Sequence, residues 1–201
     1  MADNGTMAAY AANIEKYRQM VGDLGGNAML PGFMAHLPDR AAVLDFGCGV
    51  GDSAARMQAA GHDVTCIDAS PEMAATAKEI FGLDVRRQSF DELDDVAAFD
   101  AIWASFSLLH VPKAIMPDIL TRMCRALRSD GIAYVGLKQG VGEQRDDFGR
   151  FYAYYEEDEL TGLVNGAGLS VFATERDRTA GMSGKIESCL HITARKTEAS
   201  P

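Results

Sequence analysis

The sequence is short of positive charge and proline, and it contains no long hydrophobic run. Its 201 residues hold 19 lysines and arginines against 29 aspartates and glutamates, a net charge of −10. This balance argues against nucleic acid or an anionic membrane as a partner, because both bind through positive charge. No apolar run approaches the ~18 residues of a membrane span. The N-terminus also lacks the pattern of a secretory signal, so we expect a soluble, cytoplasmic protein.

Cysteine is sparse as well, and its spacing excludes two kinds of scaffold. The four cysteines, at 48, 66, 124 and 189, form neither a zinc motif nor a disulfide framework, so we expect reduced thiols and no metal. Six prolines beside 20 glycines favour tight turns over stiff linkers. The length and the 47% hydrophobic content predict one domain over residues 1–201. Monomer and homodimer both stay open.

Periodicity predicts a helical N-terminus followed by alternating strands and helices. One amphipathic helix is predicted by five residues at helical spacing: Tyr10, Ile14, Tyr17, Val21 and Leu24. Gly25-Gly26 is expected to end this helix. A short helix is expected near 31–37. Strands are then expected at 41–46, 63–67, 85–88, 101–105 and 132–138, and helices at 52–60, 72–81 and 114–127.

The alternation predicts a doubly wound α/β fold with a mainly parallel sheet. The last part of the chain departs from this alternation of strands and helices. A helix at 160–167 precedes two strands, 170–175 and 187–194, with only a loop between them. These strands should form an antiparallel hairpin and bring the sheet to seven strands. The segment 138–150 is expected to be a long loop.

A glycine-rich turn follows the first strand. Gly47, Gly49 and Gly51 form G-x-G-x-G directly before a helix, where free backbone N–H groups can bind a ligand. Asp52 stands where the dinucleotide fingerprint requires its last glycine, so that fingerprint fails. Asp68, at the end of the second strand, is placed to accept hydrogen bonds from ribose hydroxyls.

This turn and the segments after it resemble a known family. VLDFGCGVG (43–51) followed by CIDASPEM (66–73) is similar to the first two motifs of class I S-adenosylmethionine-dependent methyltransferases. Segments 88–93, 99–111, 126–138 and 159–171 fit the later family segments in order, so the resemblance covers about residues 10–195. It implies a Rossmann-like core over 41–195, an N-terminal helical lid over 1–37, and S-adenosylmethionine as cofactor, with S-adenosylhomocysteine as product.

The resemblance also implies cofactor-binding positions: Tyr10, Asp45, Gly47, Cys48, Gly49, Gly51, Asp68, Ala69, Met73, Phe90, Asp91 and Ala104. Asp68 would bind the ribose, and Phe90 and Asp91 the adenine. The carbonyl of Ala104 would meet the amino acid part. Tyr10 and Tyr17 resemble lid aromatics, although both also fit a simple packing stripe.

Candidates for the chemistry are weaker, since acceptor sites vary among members of the family. His110, Tyr17 and Lys138 are candidate bases, with a structural role favoured for His110. Lys138, Arg150 and Tyr152, with Arg145 nearby, predict an anionic acceptor. The alternative is that Arg145 pairs with Asp146 or Asp147, and Arg150 with Glu156 or Glu157, in solvent. The other histidines, at 36, 62 and 191, have no local argument for chemistry.

We therefore expect methyl transfer to a small molecule. Residues 104–107 do not match the D/N-P-P-Y/F motif of enzymes that methylate amide or exocyclic nitrogens of DNA and proteins, and they offer no Pro-Cys nucleophile. Two alternatives stay open. One is a regulatory module that binds S-adenosylmethionine or S-adenosylhomocysteine without turnover, and the other is an NAD-dependent dehydrogenase.

Overall fold

The computed structural model describes residues 3–23 and 26–197. In chain order the elements are α1 (Asn4–Ala12), α2 (Ile14–Asp23), α3 (Leu30–Met34), β1 (Ala42–Phe46), α4 (Asp52–Ala59), β2 (Asp63–Asp68), α5 (Pro71–Phe81), β3 (Val85–Arg87), β4 (Phe99–Ser105), α6 (Met116–Ala126), β5 (Leu127–Lys138), β6 (Glu143–Arg145), β7 (Phe151–Ala153), α7 (Glu157–Gly166), β8 (Leu169–Ala180) and β9 (Ile186–Lys196). In the described residues no helix has the length and apolar character needed to cross a membrane.

The main sheet confirms the predicted α/β fold. Its seven strands run in the order β3-β2-β1-β4-β5-β9-β8. The first five pair in parallel, whereas β9 is antiparallel to both β5 and β8. Because the chain crosses from β3 to β4 past β1 and β2, the carboxyl ends of β1 and β4 flank a crevice of the kind that binds ligands in such sheets.

Local chemistry explains the well-predicted elements. Ser70 caps α5, since its Oγ accepts a hydrogen bond from the Met73 amide at 3.1 Å, and Pro71 opens the first turn. Gly82, at φ 70°, ends the same helix. The sheet is covered on both faces. One face packs Leu44, Ile102 and Val135 against α6 and α7, and the other packs Trp103 and Tyr134 against Phe33 of α3.

The prediction of one N-terminal helix is wrong. The helix breaks at Asn13, whose φ of −125° and ψ of 24° lie outside the helical range. Its side-chain amide donates to the Ala9 carbonyl at 2.8 Å, a local bond that competes with helix continuation. The stripe therefore spans α1 and α2. Leu24 and Gly25, on which the predicted end rested, lie outside the described residues.

Three loop predictions are also wrong. The segment 138–150 is not one long loop, because β6 pairs with β7 in a small antiparallel sheet. The residues left between the expected helix at 114–127 and the expected strand at 132–138 belong to β5, which begins at Leu127 and pairs with Phe99 of β4 before its register shifts. The loop expected over 176–186 is shorter, since β8 continues to Ala180 and pairs there with Ile186. In each case, hydrogen bonding to a strand distant in sequence places residues in a strand where the local sequence pattern predicts a loop.

Candidate functional site

The glycine turn between β1 and α4 leaves space that a side chain at Gly47 or Gly49 would fill. Gly47 and Gly49 take φ values of 85° and 54°, which favour glycine. A Cβ on Gly47 would lie 3.0 Å from the Phe90 ring, and one on Gly49 would lie 3.2 Å from the Tyr17 hydroxyl. The turn therefore keeps the backbone close to the aromatic side chains above it.

Two adjoining cavities lie over this turn. The smaller, of about 100 Å³, extends toward β2 and α5. The larger, of about 330 Å³, extends toward β5, β8 and β9. Both are lined by the same four residues, Tyr10, Tyr17, Gly47 and Phe106, which form the junction between them.

Asp68 fixes one wall of the smaller cavity. Its Oδ2 accepts a hydrogen bond from the Gly49 amide at 2.9 Å, and its Oδ1 accepts one from the Ser70 amide at 2.8 Å. Burial raises the pKa of Asp68, and the bonds from Ser70 and Gly49 oppose that rise. Because a carboxylate has about four lone-pair positions, Asp68 can still accept further bonds from a ligand.

Asp45 lines the larger cavity at the end of β1. It is only 2% exposed, and its Oδ2 has no hydrogen-bond partner among the described residues. Burial raises the pKa of Asp45 to about 8, and the negative charges of Asp68 and Asp52 add to the rise. A buried, unpaired carboxyl oxygen facing a cavity suits a positively charged ligand group.

Helices α1 and α2 form the roof. The Tyr10 and Tyr17 rings meet edge to face with centroids 5.3 Å apart. Burial raises the pKa of both hydroxyls, so both stay protonated at neutral pH. The lid is held down by bonds to the rest of the molecule. The Phe151 amide donates to Thr6 Oγ1 at 2.8 Å, and Arg145 pairs with Asp3 at 2.8 Å.

Comparisons with known proteins agree with this geometry. A family model described as "Methyltransferase domain" matches residues 43–131. The chain is 25% identical over 198 residues to a methyltransferase of Staphylococcus carnosus, covering 90% of this chain and 89% of that protein. The structure of 1,6-didemethyltoxoflavin-N1-methyltransferase from Burkholderia thailandensis, solved with 1,6-didemethyltoxoflavin and S-adenosylhomocysteine, matches with a TM-score of 0.73 at 25% identity, over 96% of this chain and 88% of that one.

The chain is therefore similar in sequence and fold to S-adenosylmethionine-dependent methyltransferases, and its residues 43–131 match a methyltransferase domain. Part of it is also 35% identical over 101 residues to a ubiquinone biosynthesis O-methyltransferase of Xanthomonas axonopodis. That match covers 47% of this chain and spans 41% of the relative. A TehB-like methyltransferase of Corynebacterium glutamicum shares the fold at 20% identity, with a TM-score of 0.72 over 94% of this chain and 100% of that one.

The cavities of this methyltransferase fit the cofactor. The unpaired oxygen of Asp45 suits the cationic amino acid part, and the space above Gly47 and Gly49 would be lost to a Cβ. Most residues that the resemblance assigns to the cofactor line one or both cavities: Tyr10, Asp45, Gly47, Cys48, Gly49, Asp68, Ala69, Met73 and Phe90. A hydrogen bond to Cys66 and burial raise the pKa of the Cys48 thiol, so it is not a thiolate.

Three assigned residues lie outside both linings in the described part of the chain. Gly51, at φ 88°, starts α4 and packs beside Leu83 and Ala77. Asp91 accepts a hydrogen bond from Ser89 Oγ at 2.7 Å, and Ser89 is the residue at the cavity wall. Ala104 is fully buried in the core, because β4 continues one residue further to Ser105.

His110 is hydrogen-bonded to Tyr10 of the lid and to Phe151 of β7. Its Nδ1 lies 2.6 Å from the Phe151 carbonyl, which can only accept, so Nδ1 carries the proton. Its Nε2 then accepts from the Tyr10 hydroxyl at 3.0 Å. Burial lowers the pKa of His110 to about 4, although the Phe151 bond opposes this. A neutral histidine whose lone pair is already used supports the structural role that the sequence favours.

The predicted cationic cluster is only partly assembled. Lys138, Arg150 and Tyr152 all line the larger cavity, whereas Arg145 is bound to Asp3 outside it. Lys138 forms an ion pair with Glu187, and its Nζ lies 3.8 Å from the Tyr152 ring centroid. The buried Arg150 pairs with Asp146 at 2.6 Å. The ion pairs expected for Arg145 and Arg150 therefore involve other acids than those predicted, and the Arg150 pair is buried rather than solvated.

The sequence did not predict a polar cluster at the wall of the larger cavity, made of Tyr134, His191 and Asp177. Nδ1 of His191 lies 2.6 Å from the Tyr134 hydroxyl oxygen, and Nε2 of the same ring lies 3.0 Å from Asp177 Oδ1. These residues belong to β9, β5 and β8, which are distant in sequence. The predicted hairpin indicates that β8 and β9 are neighbours. It does not show which of their residues lie opposite each other, because the sequence does not fix the register of the pairing.

Proposed function

We propose that this methyltransferase transfers a methyl group from S-adenosylmethionine to a small molecule bound in the larger cavity. The observation that carries the proposal is the junction of the two cavities at Tyr10, Tyr17 and Phe106. A volume of about 330 Å³ lies in the range of small-molecule pockets. The cofactor and an acceptor could therefore meet under one lid.

The protein's own contribution is orientation and exclusion of water. When bound, S-adenosylmethionine supplies a methyl group on a sulfonium, which is a reactive electrophile. Asp68 would hold the ribose hydroxyls, and Asp45 would face the amino group. Tyr10 and Tyr17 close the site above, so that the methyl carbon and the attacking atom can be held in line away from solvent.

The charge of the larger cavity favours an uncharged acceptor over the anionic one expected from the sequence. Both cations that line it, Lys138 and Arg150, already pair with carboxylates. Its lining also contains four acids, Asp45, Asp52, Asp177 and Glu187. An anion would have to compete with these acids for the cations. Aromatic residues complete the lining, which suits an acceptor with an apolar face.

The relatives' names support a nitrogen or an oxygen as the methylated atom. The Burkholderia thailandensis protein is an N1-methyltransferase, and the Xanthomonas axonopodis protein is an O-methyltransferase. We propose the same two kinds of acceptor here. A cytoplasmic location, the single-domain organisation and the choice between monomer and homodimer remain predictions.

The alternatives from the sequence are less well supported. A module that only binds the cofactor has no need for the part of the larger cavity that extends beyond Asp45, toward His191 and Asp177. A dehydrogenase is disfavoured because β9 inserts antiparallel to β5 and the dinucleotide fingerprint fails at Asp52.

The direct test is a single-turnover assay with methyl-labelled S-adenosylmethionine and a panel of phenols, azoles, carboxylic acids and thiols. We expect label in an uncharged phenol or azole, and no binding of NADH by calorimetry. Replacing Lys138 by Gln should leave the affinity for S-adenosylhomocysteine unchanged. Label only in carboxylic acids would show that the anionic hypothesis is right, and binding of S-adenosylhomocysteine without any transfer would show a regulatory module.

A further inference from the structure

Three side chains from three neighbouring strands form a hydrogen-bonded series, and two of them, His191 and Asp177, line the larger cavity. Tyr134 lies on β5, His191 on β9 and Asp177 on β8. The Tyr134 hydroxyl is 2.6 Å from His191 Nδ1, and His191 Nε2 is 3.0 Å from Asp177 Oδ1. Tyr134 and His191 are 2% and 3% exposed, so the chain is shielded from solvent up to the half-buried Asp177.

The direction of the hydrogen bonds follows from chemistry. Burial raises the pKa of Tyr134, so its hydroxyl stays protonated and donates to Nδ1. An imidazole that accepts at Nδ1 carries its proton on Nε2 when neutral. Nε2–H therefore donates to the carboxylate of Asp177. A tyrosine thus sets the histidine tautomer, and the histidine in turn orients the carboxylate.

The surrounding backbone is built for this contact. Gly136 pairs with His191 across β5 and β9, and a Cβ on it would lie 2.9 Å from the Tyr134 hydroxyl. Any other residue there would push tyrosine and histidine apart. The Tyr134 ring is also stacked on Trp103, with centroids 3.9 Å apart, so it cannot turn away.

Two members of this series line the cavity in which the acceptor would bind. His191 and Asp177 line the larger cavity. The Phe106 ring meets the His191 ring edge to face at 5.7 Å, and Phe106 also lines the smaller cavity. One aromatic ring therefore separates the histidine from the junction of the two cavities.

We propose that Asp177 is the catalytic residue that accepts the proton of an O–H or N–H acceptor, and that His191 and Tyr134 are positioning residues. The inference rests on the proposed function. As the acceptor atom forms its bond to the methyl carbon, the carbon–sulfur bond breaks and its electron pair stays on sulfur. The acceptor's proton passes to Asp177, which can accept a further hydrogen bond while keeping that of His191. The half-buried carboxyl can then release the proton to solvent.

Four other charged or titratable residues lie near the hydrogen-bonded side chains of Tyr134, His191 and Asp177. The Lys138–Glu187 ion pair lines the same cavity. Cys189 pairs with Asp177 across β8 and β9, and Glu175 pairs with His191. Glu175 is exposed and lies outside the cavity lining in the described residues, which makes it a matched control on the same strand.

The test compares Asp177→Asn with Glu175→Gln, using phenol, benzimidazole and thiophenol as acceptors. Thiophenol ionises readily in water, and benzimidazole attacks through the lone pair of its unprotonated nitrogen, so neither needs a base, whereas phenol must lose its proton. We expect Asp177→Asn to lower the rate with phenol by about 100-fold or more. The rates with thiophenol and benzimidazole should fall far less, and the affinity for S-adenosylhomocysteine should be unchanged. Tyr134→Phe should lower kcat with little change in KM and shift the acid limb of the pH–rate profile.

The outcomes separate the two proposals. If Asp177→Asn transfers the methyl group to phenol at a rate within twofold of the unchanged protein, the base assignment alone is overturned. An equal loss in Glu175→Gln would do the same, because it would show a general effect of charge. Transfer to thiophenol alone would also overturn it. Transfer to none of the three probes, with S-adenosylhomocysteine still bound, would count against both the proposed function and the base.

Discussion

At the scale of single residues, Asp68 joins the glycine turn to the ligand site. Its two oxygens accept backbone hydrogen bonds from Gly49 and Ser70, and the same carboxylate lines the smaller cavity. It therefore shapes the turn and can bind ribose hydroxyls. Hydrogen bonds to a charged group contribute about 1.5–3 kcal/mol each.

Asp68→Ala is expected to weaken binding of S-adenosylhomocysteine at least ~10-fold, as measured by calorimetry. Asp63→Ala provides the control, because Asp63 is an exposed acid at the start of the same strand. That variant should bind like the unchanged protein. Equal affinity in both variants, with the fold retained, would remove Asp68 from the site.

Asp45 makes cofactor affinity depend on pH. Burial raises its pKa to about 8 in the free protein, so most of it is protonated below that pH. Pairing with a cationic amino group requires the ionised form, and binding must then release a proton. Affinity for S-adenosylhomocysteine should therefore rise between about pH 6 and pH 8, by at most about tenfold per pH unit. Asp45→Asn should make the affinity nearly independent of pH over this range. If the affinity of that variant still rises with pH, a group other than Asp45 is responsible.

The residues of the turn were predictable because their constraints are local. Gly47, Gly49 and Asp68 lie within one strand–turn–helix unit and the strand after it. His191 and Asp177 were not predictable, since their roles depend on the register between β8 and β9. The partners of Arg145 and Arg150 were missed for a similar reason. Arg145 binds Asp3 at the far end of the sequence, on a helix start that no local pattern places nearby.

At the scale of elements, the lid is attached to the small sheet of β6 and β7. Arg145 of β6 pairs with Asp3, and this contact holds the pKa of Asp3 well below its usual range. The amide of Phe151 in β7 bonds to Thr6 in α1. The small sheet therefore sets the position of the aromatic roof over both cavities.

Arg145→Gln should loosen α1 without unfolding the core. Exposed ion pairs contribute about 0.2–1 kcal/mol, so amide exchange within Asn4–Ala12 should speed up by at most about fivefold. Lys185→Gln is the matched control, since Lys185 forms an exposed pair with Asp147 away from the lid. Hydrogen exchange measured by mass spectrometry compares the two variants. Equal exchange in α1 would mean that the ion pair does not hold the lid.

The elements that the sequence predicted correctly are those with local signals. The parallel strands are apolar runs, and α5 carries its own cap at Ser70 and its own stop at Gly82. The small sheet has exposed, charged residues in β6, and its partner strand is only three residues long. Such strands form because the surrounding structure brings them together. The break at Asn13 was hidden because α1 and α2 continue one apolar stripe.

At the scale of the whole molecule, the fold joins two cavities that the proposed function assigns to the cofactor and the acceptor. The parallel half of the sheet lines the smaller cavity around Asp68 and one side of the larger cavity at Asp45, and the antiparallel hairpin lines the other side of the larger cavity at His191 and Asp177. The crossing point of the chain between β1 and β4 places the junction at the middle of the sheet. Parallel topology and the cofactor half could be predicted from sequence, whereas the acceptor half depends on long-range pairing.

A crystal structure with bound S-adenosylhomocysteine tests this division most directly. The account predicts that the ribose hydroxyls hydrogen-bond to Asp68 and that the amino group lies near Asp45. The sulfur should point through the junction at Tyr10, Tyr17 and Phe106 toward His191 and Asp177. A ligand whose sulfur points away from the larger cavity, or whose ribose does not contact Asp68, would contradict it.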